Sequence, residues 1–415
     1  MRIFTSIKHS LHNQEYGGDL WSRNFYPALH QLGHEIIESQ TDLLAASRFM
    51  HVANHFTNEE EEVRAVITQK IIDEVIHHHQ QQPIDLFLSY FYNSHFHPGG
   101  FEKLHKLGIL TVNFYCNSIY QLELVSQIAS KVNISWHTEK YASQKYKDIG
   151  ANPIWVQLGA NPELYHPIPD IKRQHKACFV GQRYADRDRF IAALLTQDLP
   201  VDIYGSGWIS NPVNNKHSLL LTQSHSQENT QALRNNYLGR LNPSIGSLAA
   251  YRQVVIDNLQ NKGILKGFWR TLQQFYYRRN TKKLRPIIAP AYKGYASSLS
   301  ETFAAYEVVL NFSNVWADGH SGSQLIPHVR MRDFEAPMSC SCYLTGYTDE
   351  IADFYKIGQE IDTYTSANEL ADKLKFYLSH PYIANSLREQ GYKRAINEHT
   401  WVNRFQKLFQ ILNLS

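Results

Sequence analysis

The chain has 415 residues, of which 43% are hydrophobic and 19% are charged, and its formal net charge is +3. This composition excludes a disordered protein, and the length exceeds one ordinary hydrophobic core, so we expect two or three domains. The four cysteines lack the paired spacing of a zinc site, and their scarcity is typical of a reducing compartment. No signal-peptide pattern and no membrane-spanning apolar run are visible, so we expect a cytoplasmic protein.

The N-terminal part of the chain has strands that alternate with helices. Residues 2–6 and 35–38 are predicted strands on either side of a helix at 19–32, an opening typical of Rossmann-like domains. Four more strands are predicted, at 84–90, 108–115, 132–136 and 154–158. The intervening helices are predicted at 59–82, 100–107, 121–130 and 139–150. The alternation predicts a parallel sheet, and such sheets bind ligands at the carboxyl ends of their strands.

Three loops follow predicted strand ends and are candidate ligand loops: residues 9–18, 93–99 and 116–118. They supply His95 and Asn117 as candidate catalytic residues. The alternative is that these side chains only face solvent or cap neighbouring backbone groups, as loop residues of these types commonly do. The pair Gly17 and Gly18 is either a plain hinge before the first helix or backbone that faces a cleft. The consecutive histidines at 77–79 point in different directions on a helix, so no metal site is predicted.

A second domain is predicted to begin after a Pro-rich segment that ends near residue 169. Its first strand, at 175–180, leads into a strand-to-helix turn that contains Gly181, Arg183 and Arg187. Such a turn suits an anion, because backbone N–H groups and arginines converge there. The alternative is a pair of surface arginines at the start of a helix.

The segment from residue 211 to residue 286 has a composition of its own. It contains twelve Lys or Arg residues and two acidic ones, so it carries +10 and the rest of the chain carries −7. Large apolar residues recur at helical spacing, which predicts two helices separated at Gly263. Basic residues crowd the second helix and the residues after it: Arg270, Arg278, Arg279, Lys282, Lys283 and Arg285. The segment is either a self-packed helical insertion or a surface for a membrane, an anionic acceptor or a partner.

The stretch from 327 to 354 has the clearest site pattern. A helix is predicted at 329–339, followed by a short strand, a turn at Gly346, Tyr347 and Thr348, and a new helix from residue 349. The turn and helix start suit a phosphate, and Arg332 adds charged donors. Glu335 is a carboxylate that suits sugar hydroxyls, so the combination predicts a nucleotide-sugar site. Two further candidates precede the stretch, Lys293 and, on the loop that should line the donor sugar, Asp318.

Four motifs in this order resemble the spore-maturation CgeB-like glycosyltransferases, relatives of the family-4-type transferases. The motifs are Phe179-Val-Gly-Gln-Arg-Tyr-Ala-Asp-Arg187, Tyr204-Gly-Ser-Gly-Trp208, Arg332-Asp-Phe-Glu-Ala-Pro with Leu344-Thr-Gly-Tyr-Thr-Asp-Glu-Ile, and Gly391-Tyr-Lys-Arg-Ala through His399-Thr-Trp. The resemblance covers residues 151–210 and 288–410. It departs from the family at 211–286, at Pro327, where a first glutamate of a pair is usual, and at Asn117, where relatives often carry an acid. Asp318 or His320 is a candidate substitute for the missing glutamate.

The resemblance implies an α/β GT-B fold, two Rossmann-like domains that face a cleft, with the helical insertion in the second. The expected domains are residues 1–167 on the acceptor side, 168–395 on the donor side, and a helix at 396–415 that crosses back. The implied activity is metal-independent, retaining transfer from a nucleotide diphospho-sugar to an acceptor, without a cofactor or specific nucleic acid. Glu335 would bind the ribose and Arg183, Arg187 and the turn at 346–348 the diphosphate. A sugar-nucleotide epimerase and an inactive binding module remain as alternatives, and an anionic membrane surface remains as a partner of 211–286.

Overall fold

The structure is a computed structural model that describes residues 1–11, 18–209, 264–319 and 321–414. The described residues form two compact units. The first contains Met1–Leu164 and Ala395–Ser415, and the second contains the described residues from Tyr165 to Arg394.

A six-stranded sheet is the centre of the first unit. Its strands are β1 (Arg2–Ser6), β2 (Glu35–Glu38), β3 (Leu86–Ser89), β4 (Leu110–Tyr115), β5 (Ile134–His137) and β6 (Pro153–Trp155). Their spatial order is β2-β1-β3-β4-β5-β6, and every pairing is parallel. The connecting helices are α1 (Gly18–Gln31), α2 (Leu44–Ser47), α3 (Asn58–Gln81), α4 (Gly99–Lys106), α5 (Ser118–Ala129) and α6 (Ser143–Asp148). The parallel α/β architecture predicted from the alternating pattern is confirmed.

The second unit contains a five-stranded parallel sheet. Its strands are β7 (Gln174–Val180), β8 (Val201–Tyr204), β9 (Tyr306–Leu310), β12 (Tyr343–Gly346) and β13 (Asp362–Tyr364), in the order β13-β12-β9-β7-β8. Two short strands, β10 (Asn314–Trp316) and β11 (Leu325–Pro327), form an antiparallel hairpin. The helices of the unit are α7 (Arg187–Leu195), α8 (Ile264–Ile288), α9 (Leu299–Ala304), α10 (Arg332–Met338), α11 (Ala367–Ser379) and the first part of α12 (Pro381–Glu398).

The C-terminal helix α13 (Trp401–Ile411) belongs to the first unit and packs on α1. Its Trp401 indole N–H donates to the Asn24 amide oxygen at 2.9 Å, and its ring lies 4.7 Å from that of Phe25. Thr400 caps the helix by accepting the backbone N–H of Asn403. Aromatic rings that meet edge to face in this way stabilise a core beyond the area they bury.

Gly391 lies inside a helix without interrupting it. The chain continues as one helix, α12, and turns at residues 399–400. Gly391 allows a close approach, because a Cβ at this position would collide with the carbonyl oxygen of Glu360. A glycine within a helical pattern therefore marks backbone contact here, where local propensity alone indicates a helix end.

Two segments of the second unit contain short elements. The predicted loop that carries Asp318 connects the two strands of the β10–β11 hairpin, which are three residues each. The helix expected from residue 349 is a single 3₁₀ turn, Ile351–Asp353, and Thr348 Oγ1 accepts the Ile351 N–H at 3.1 Å. Elements this short depend on tertiary contacts more than on propensity.

The predicted break at Gly263 and the first part of the basic insertion lie outside the described residues; the part that is described is α8. Among residues 1–11, 18–209, 264–319 and 321–414, no helix has the length and apolar character to cross a bilayer. Over the same ranges, no cluster of three or more His, Cys, Asp or Glu residues is arranged to hold a metal ion.

Candidate functional site

The candidate site lies at the carboxyl ends of β7, β9 and β12, which are neighbours in the second sheet. The turn 181–187 follows β7, residues 311–314 follow β9, and Gly346, Tyr347 and Thr348 lie at or beyond the end of β12. Parallel strands end at the same edge of a sheet, where ligands of open α/β sheets bind.

Close backbone packing positions the turn after β7. Gly205 has φ +119°, and a Cβ on it would lie 2.5 Å from the carbonyl oxygen of Gly181. The Trp208 indole N–H donates to that same carbonyl at 2.8 Å, and the Arg183 N–H donates to the Ser206 carbonyl at 2.9 Å. The Gly-Ser-Gly-Trp motif after β8 therefore holds the Gly181 turn in place.

Both arginines of this turn are buried and make contacts within the unit. The Arg183 guanidinium donates to the Asp188 carboxylate at 2.9 Å and to the Thr281 carbonyl of α8 at 2.6 Å. Arg187 donates to the Gln182 carbonyl at 2.7 Å, and its guanidinium lies 5.4 Å from the ring of Phe179. Arg183 thus links the turn to α8, and Arg187 closes the turn on itself.

Asp333, which the sequence analysis did not single out, links the residue after β9 to β12 and to the segment before α10. Its carboxylate accepts the Arg330 N–H at 2.7 Å and the hydroxyls of Tyr343 and Thr345 at 2.8 Å each. It also accepts the Asn311 side-chain amide at 3.3 Å. Burial raises the pKa of Asp333, which these hydrogen bonds oppose. Its partners lie on other elements: Asn311 directly follows β9, and Tyr343 and Thr345 belong to β12.

The same hydrogen-bonded network reaches the turn after β7. The Asn314 amide donates to the Asp186 carboxylate at 2.6 Å, and Arg330 donates to the Asn314 carbonyl at 3.2 Å. On the other side, the Ser313 hydroxyl donates to the Gly346 carbonyl at 2.7 Å. The network therefore brings together the loops that carry Gly181, Arg183, Arg187, Gly346, Tyr347 and Thr348.

Arg332 and Glu335 form a buried ion pair on α10. The Arg332 Nη1 to Glu335 Oε2 distance is 2.6 Å, and the Glu335 side chain has 0% exposure. The other oxygen, Oε1, has no hydrogen-bond partner among the described residues. A buried, unpaired carboxylate oxygen is costly, so this atom is a natural acceptor for a donor that arrives with a ligand.

The remaining donor-site candidates are placed differently. Tyr347 is exposed and its N–H donates to the Tyr364 carbonyl at 2.9 Å, while Thr348 is buried as the cap of the 3₁₀ turn. The Lys293 ammonium lies 3.7 Å from Asp202, in the first half of β8, and so apart from the carboxyl-edge loops. Asp318 is half-buried in the β10–β11 connection. His320, like Gly17, lies outside the described residues.

In the first unit, His95 and Asn117 follow β3 and β4. His95 is fully buried: Nδ1 accepts the Tyr92 N–H at 3.1 Å, and Nε2 lies 3.0 Å from the Ser47 hydroxyl. Its ring is 4.2 Å from that of His9, and burial lowers the pKa of both histidines, to about 4 for His9. Asn117 is the residue before α5 and accepts the Tyr120 hydroxyl. Gly18 is the first residue of α1.

Comparison with known proteins gives one family and a set of solved structures. Residues 277–410 match a family model, Glyco_trans_1_2, described as "Glycosyl transferase-like". A comparison with curated proteins gives no match.

Over its whole length the chain is similar to several solved structures. One is sucrose-phosphate synthase from Thermosynechococcus elongatus, with a TM-score of 0.56, 10% identity, and 99% of this chain and 98% of that chain covered. A glycosyltransferase from Rickettsia africae has a TM-score of 0.54 at 10% identity, with 99% and 97% covered. Anabaena HepE, in complex with UDP and glucose, has a TM-score of 0.52 at 9% identity, with 99% of both chains covered. At these identities the likeness shows the fold, and the fold is GT-B.

Proposed function

We propose that this chain, a glycosyltransferase with the GT-B fold, transfers a glycosyl unit from a nucleotide diphospho-sugar to an acceptor. The observation that carries the proposal is the network in which Asp333, Asn314 and Asp186 connect the loops after three neighbouring strands. Asn314 and Asp333 lie within residues 277–410, the segment that matches the glycosyl transferase-like family. A UDP complex of a protein with this fold supports the choice of a nucleotide donor.

In this proposal Glu335 binds the ribose hydroxyls. Support comes from its unpaired, buried Oε1 and from Arg332, whose contact with Oε2 holds the carboxylate in a fixed orientation. Because Glu335 is fully covered, ribose binding at this carboxylate requires the residues over it to move.

The diphosphate is proposed to bind between the turns that carry Arg187 and Gly346. Negative charge grows on the leaving diphosphate during transfer, and positively charged groups already fixed in position stabilise that charge without reorganising. Arginines and backbone N–H groups would supply this stabilisation without a metal ion, and retention at the anomeric carbon is proposed from the family resemblance. The other predicted contacts with the donor stay predictions: Lys293, Arg183 and Thr348. The same holds for the predicted catalytic residues His95, Asn117 and Asp318.

Thermal shift with a panel of nucleotide sugars tests the proposal. A ligand at a hundred times its Kd adds about 2.7 kcal/mol to the stability of the folded state, so a cognate donor should raise the Tm clearly. Hydrolysis of the same donor by the enzyme would separate a transferase from a binding module. If no nucleotide sugar raises the Tm and none is hydrolysed, the proposal is wrong.

The two arginines are tested by comparing a nucleoside diphosphate with its free nucleoside. Substitution of the arginine that contacts the diphosphate should weaken only the diphosphate ligand, by roughly 1.5–3 kcal/mol for a lost charged hydrogen bond. Because Arg183 is paired with Asp188 in the interior, Arg183→Lys and Arg187→Lys are preferable to alanine, and each melting curve is recorded first. Equal losses for nucleoside and diphosphate would exclude a phosphate contact.

We also propose that α8 attaches the protein to an anionic membrane surface. Two aromatic residues of this helix, Phe268 and Trp269, are 60% and 64% exposed, and Arg279, Lys282 and Lys283 are exposed further along it. Exposed aromatic rings beside cationic side chains suit the boundary of an anionic bilayer, where each Lys or Arg contributes about 1 kcal/mol.

A further inference from the structure

A cavity of about 310 Å³ lies in the second unit between α8, the turn after β7 and the β10–β11 hairpin. Its size is at the lower end of the range for small-ligand sites. The side chains that matter are Asp186 and Arg189 at the start of α7, Tyr276, Tyr277 and Asn280 on α8, and Trp316 on β10. None of the predicted donor-binding residues is among the described residues that line it, and Asp186 is the residue that it shares with the network of the candidate donor site.

Specific contacts hold the three walls together. The Tyr277 hydroxyl donates to the Ala185 carbonyl at 2.8 Å, and its ring meets that of Trp316 edge to face with a centroid distance of 5.0 Å. On the hairpin, Gly322 has φ +85°, and a Cβ there would lie 3.2 Å from the Gln273 carbonyl oxygen of α8. The glycine lets the hairpin and the helix meet through their backbones, which holds these two walls of the cavity close to each other.

The lining combines aromatic faces with one carboxylate. Asp186 is 7% exposed; its Oδ2 accepts the Asn314 amide, and its Oδ1 has no hydrogen-bond partner among the described residues. Burial raises the pKa of Asp186, which is the expected response of a carboxyl that lacks a full set of donors.

This combination selects among ligand classes. A pyranose ring has a face of C–H groups that packs on aromatic rings and hydroxyls that donate to a carboxylate. A phosphate or another anion would instead be repelled by Asp186. Arg189 and Asn280 supply donors for further ring or hydroxyl oxygens.

We propose that this cavity binds a pyranose of a carbohydrate acceptor, with its apolar face against Tyr276 and a hydroxyl donating to Asp186. That the bound carbohydrate is the acceptor rests on the proposed transferase activity, while the presence of the site does not. Tyr276 belongs to α8 and precedes the segment 277–410 that matches the family model. We therefore expect recognition of this pyranose to depend on Tyr276 and on the part of α8 that carries it.

Saturation-transfer NMR with maltose, cellobiose and N,N′-diacetylchitobiose tests the site in the full chain. At least one disaccharide should receive saturation at its ring protons. Tyr276→Ala removes an aromatic face that is 60% exposed, so the fold should survive, and Asp186→Asn keeps the volume of the side chain. Each variant should weaken disaccharide binding roughly tenfold or more, as expected for a lost charged hydrogen bond or its apolar equivalent.

Tyr382→Ala is the matched control, because it removes an exposed tyrosine ring of the second unit that does not line the cavity. It should leave disaccharide binding unchanged. Tyr276→Ala and the control are also assayed with nucleotide sugars by thermal shift, so that the two proposals fail separately; Asp186→Asn is left out of this comparison because Asp186 also contacts Asn314. Disaccharide binding without any nucleotide-sugar shift would leave the cavity assigned and remove the donor proposal. Three results would overturn the carbohydrate site. The first is that no disaccharide binds, and the second is that the control loses disaccharide binding to the same extent. The third is that Tyr276→Ala loses nucleotide binding but keeps disaccharide binding.

Discussion

Two carboxylates on α10 show how burial alone fails to distinguish a structural residue from a binding residue. Asp333 and Glu335 are both almost fully buried. Asp333 accepts four hydrogen bonds, two from strand β12, one from Asn311 and one from Arg330, whereas Glu335 has one charged partner and one unpaired oxygen. The first carboxylate is satisfied by the fold, and the second has capacity left for a ligand.

Glu335→Gln should therefore weaken nucleotide binding with a modest loss of stability. The expected loss of affinity is roughly 1.5–3 kcal/mol, because a neutral amide replaces a charged acceptor. Isothermal titration with the nucleoside diphosphate identified by thermal shift provides the measurement. Asp333→Asn is the matched control: it should lower the Tm instead, because its new N–H₂ group faces donors. Unchanged nucleotide affinity in folded Glu335→Gln would falsify the ribose assignment.

Buried histidines predict how the stability depends on pH. Burial lowers the pKa of His9 and His137 to about 4 and that of His328 to about 3. Between pH 6.5 and 4 the unfolded chain binds protons that the folded state does not, so stability falls as the pH falls. Each such histidine lowers the free energy of unfolding by about 1.4 kcal/mol for every pH unit below its ordinary pKa. The raised pKa values of Asp186 and Asp333 act in the opposite direction and offset part of this loss.

The Tm should therefore be lower at pH 5.5 than at pH 7.5, and His328→Gln should reduce that difference. His328 is a suitable site because its lowered pKa comes from burial and then from Arg330 nearby. His380→Gln, at an exposed position, serves as the control and should leave the pH dependence unchanged. A Tm that is the same at both pH values would contradict the neutral state of these histidines.

At the scale of elements, the alternation of strands and helices was predictable from the sequence, and the contacts between side chains of different elements were not. Strand and helix order followed from periodicity, and Arg332 and Glu335 could be nominated from residue type and spacing. The role of Asp333 depends on Tyr343, Thr345 and Asn311, which lie on other elements, so no local pattern identifies it. His95 was placed in a loop correctly, yet its burial comes from contacts with His9 and Ser47, which are distant in sequence.

Glycine at 205 offers a test of how the turn after β7 is held. Gly205→Ala places a Cβ 2.5 Å from the Gly181 carbonyl oxygen in addition to requiring a positive φ. Gly358 also has a positive φ, +78°, but a Cβ there meets nothing within 4 Å. Gly358→Ala should thus cost about 1–2 kcal/mol of backbone strain, and Gly205→Ala should cost more and also weaken nucleotide binding. Denaturant unfolding and nucleotide titration measure both; equal effects of the two substitutions would exclude the close approach as the positioning contact.

For the whole molecule, the notable property is how unevenly charge is distributed. Residues 211–286 carry +10 in a chain of net charge +3. In the described part of that segment, one face of α8 packs on the second unit through Tyr277, Thr281 and Ile288, all half-buried or buried. The exposed residues lie elsewhere on the helix, with aromatic rings nearer its start and cations nearer its end. Helix α8 can therefore pack on the second unit and bind an anionic surface at the same time, because the two contacts use different sides of the helix.

Co-sedimentation with vesicles decides whether the exposed side binds a membrane. We expect the protein to sediment with phosphatidylserine-containing vesicles at low salt, to be released as salt rises, and to ignore vesicles of phosphatidylcholine alone, because the attraction is screened within a Debye length. Charge reversal on α8 should abolish sedimentation: Arg279→Glu, Lys282→Glu and Lys283→Glu. The control makes the same change of net charge at exposed lysines of the first unit: Lys70→Glu, Lys106→Glu and Lys147→Glu. If net charge alone drives binding, the two triple variants lose it equally, whereas a surface on α8 requires that only the first does. Unmodified protein that stays in the supernatant with anionic vesicles at low salt would leave α8 as a packing helix.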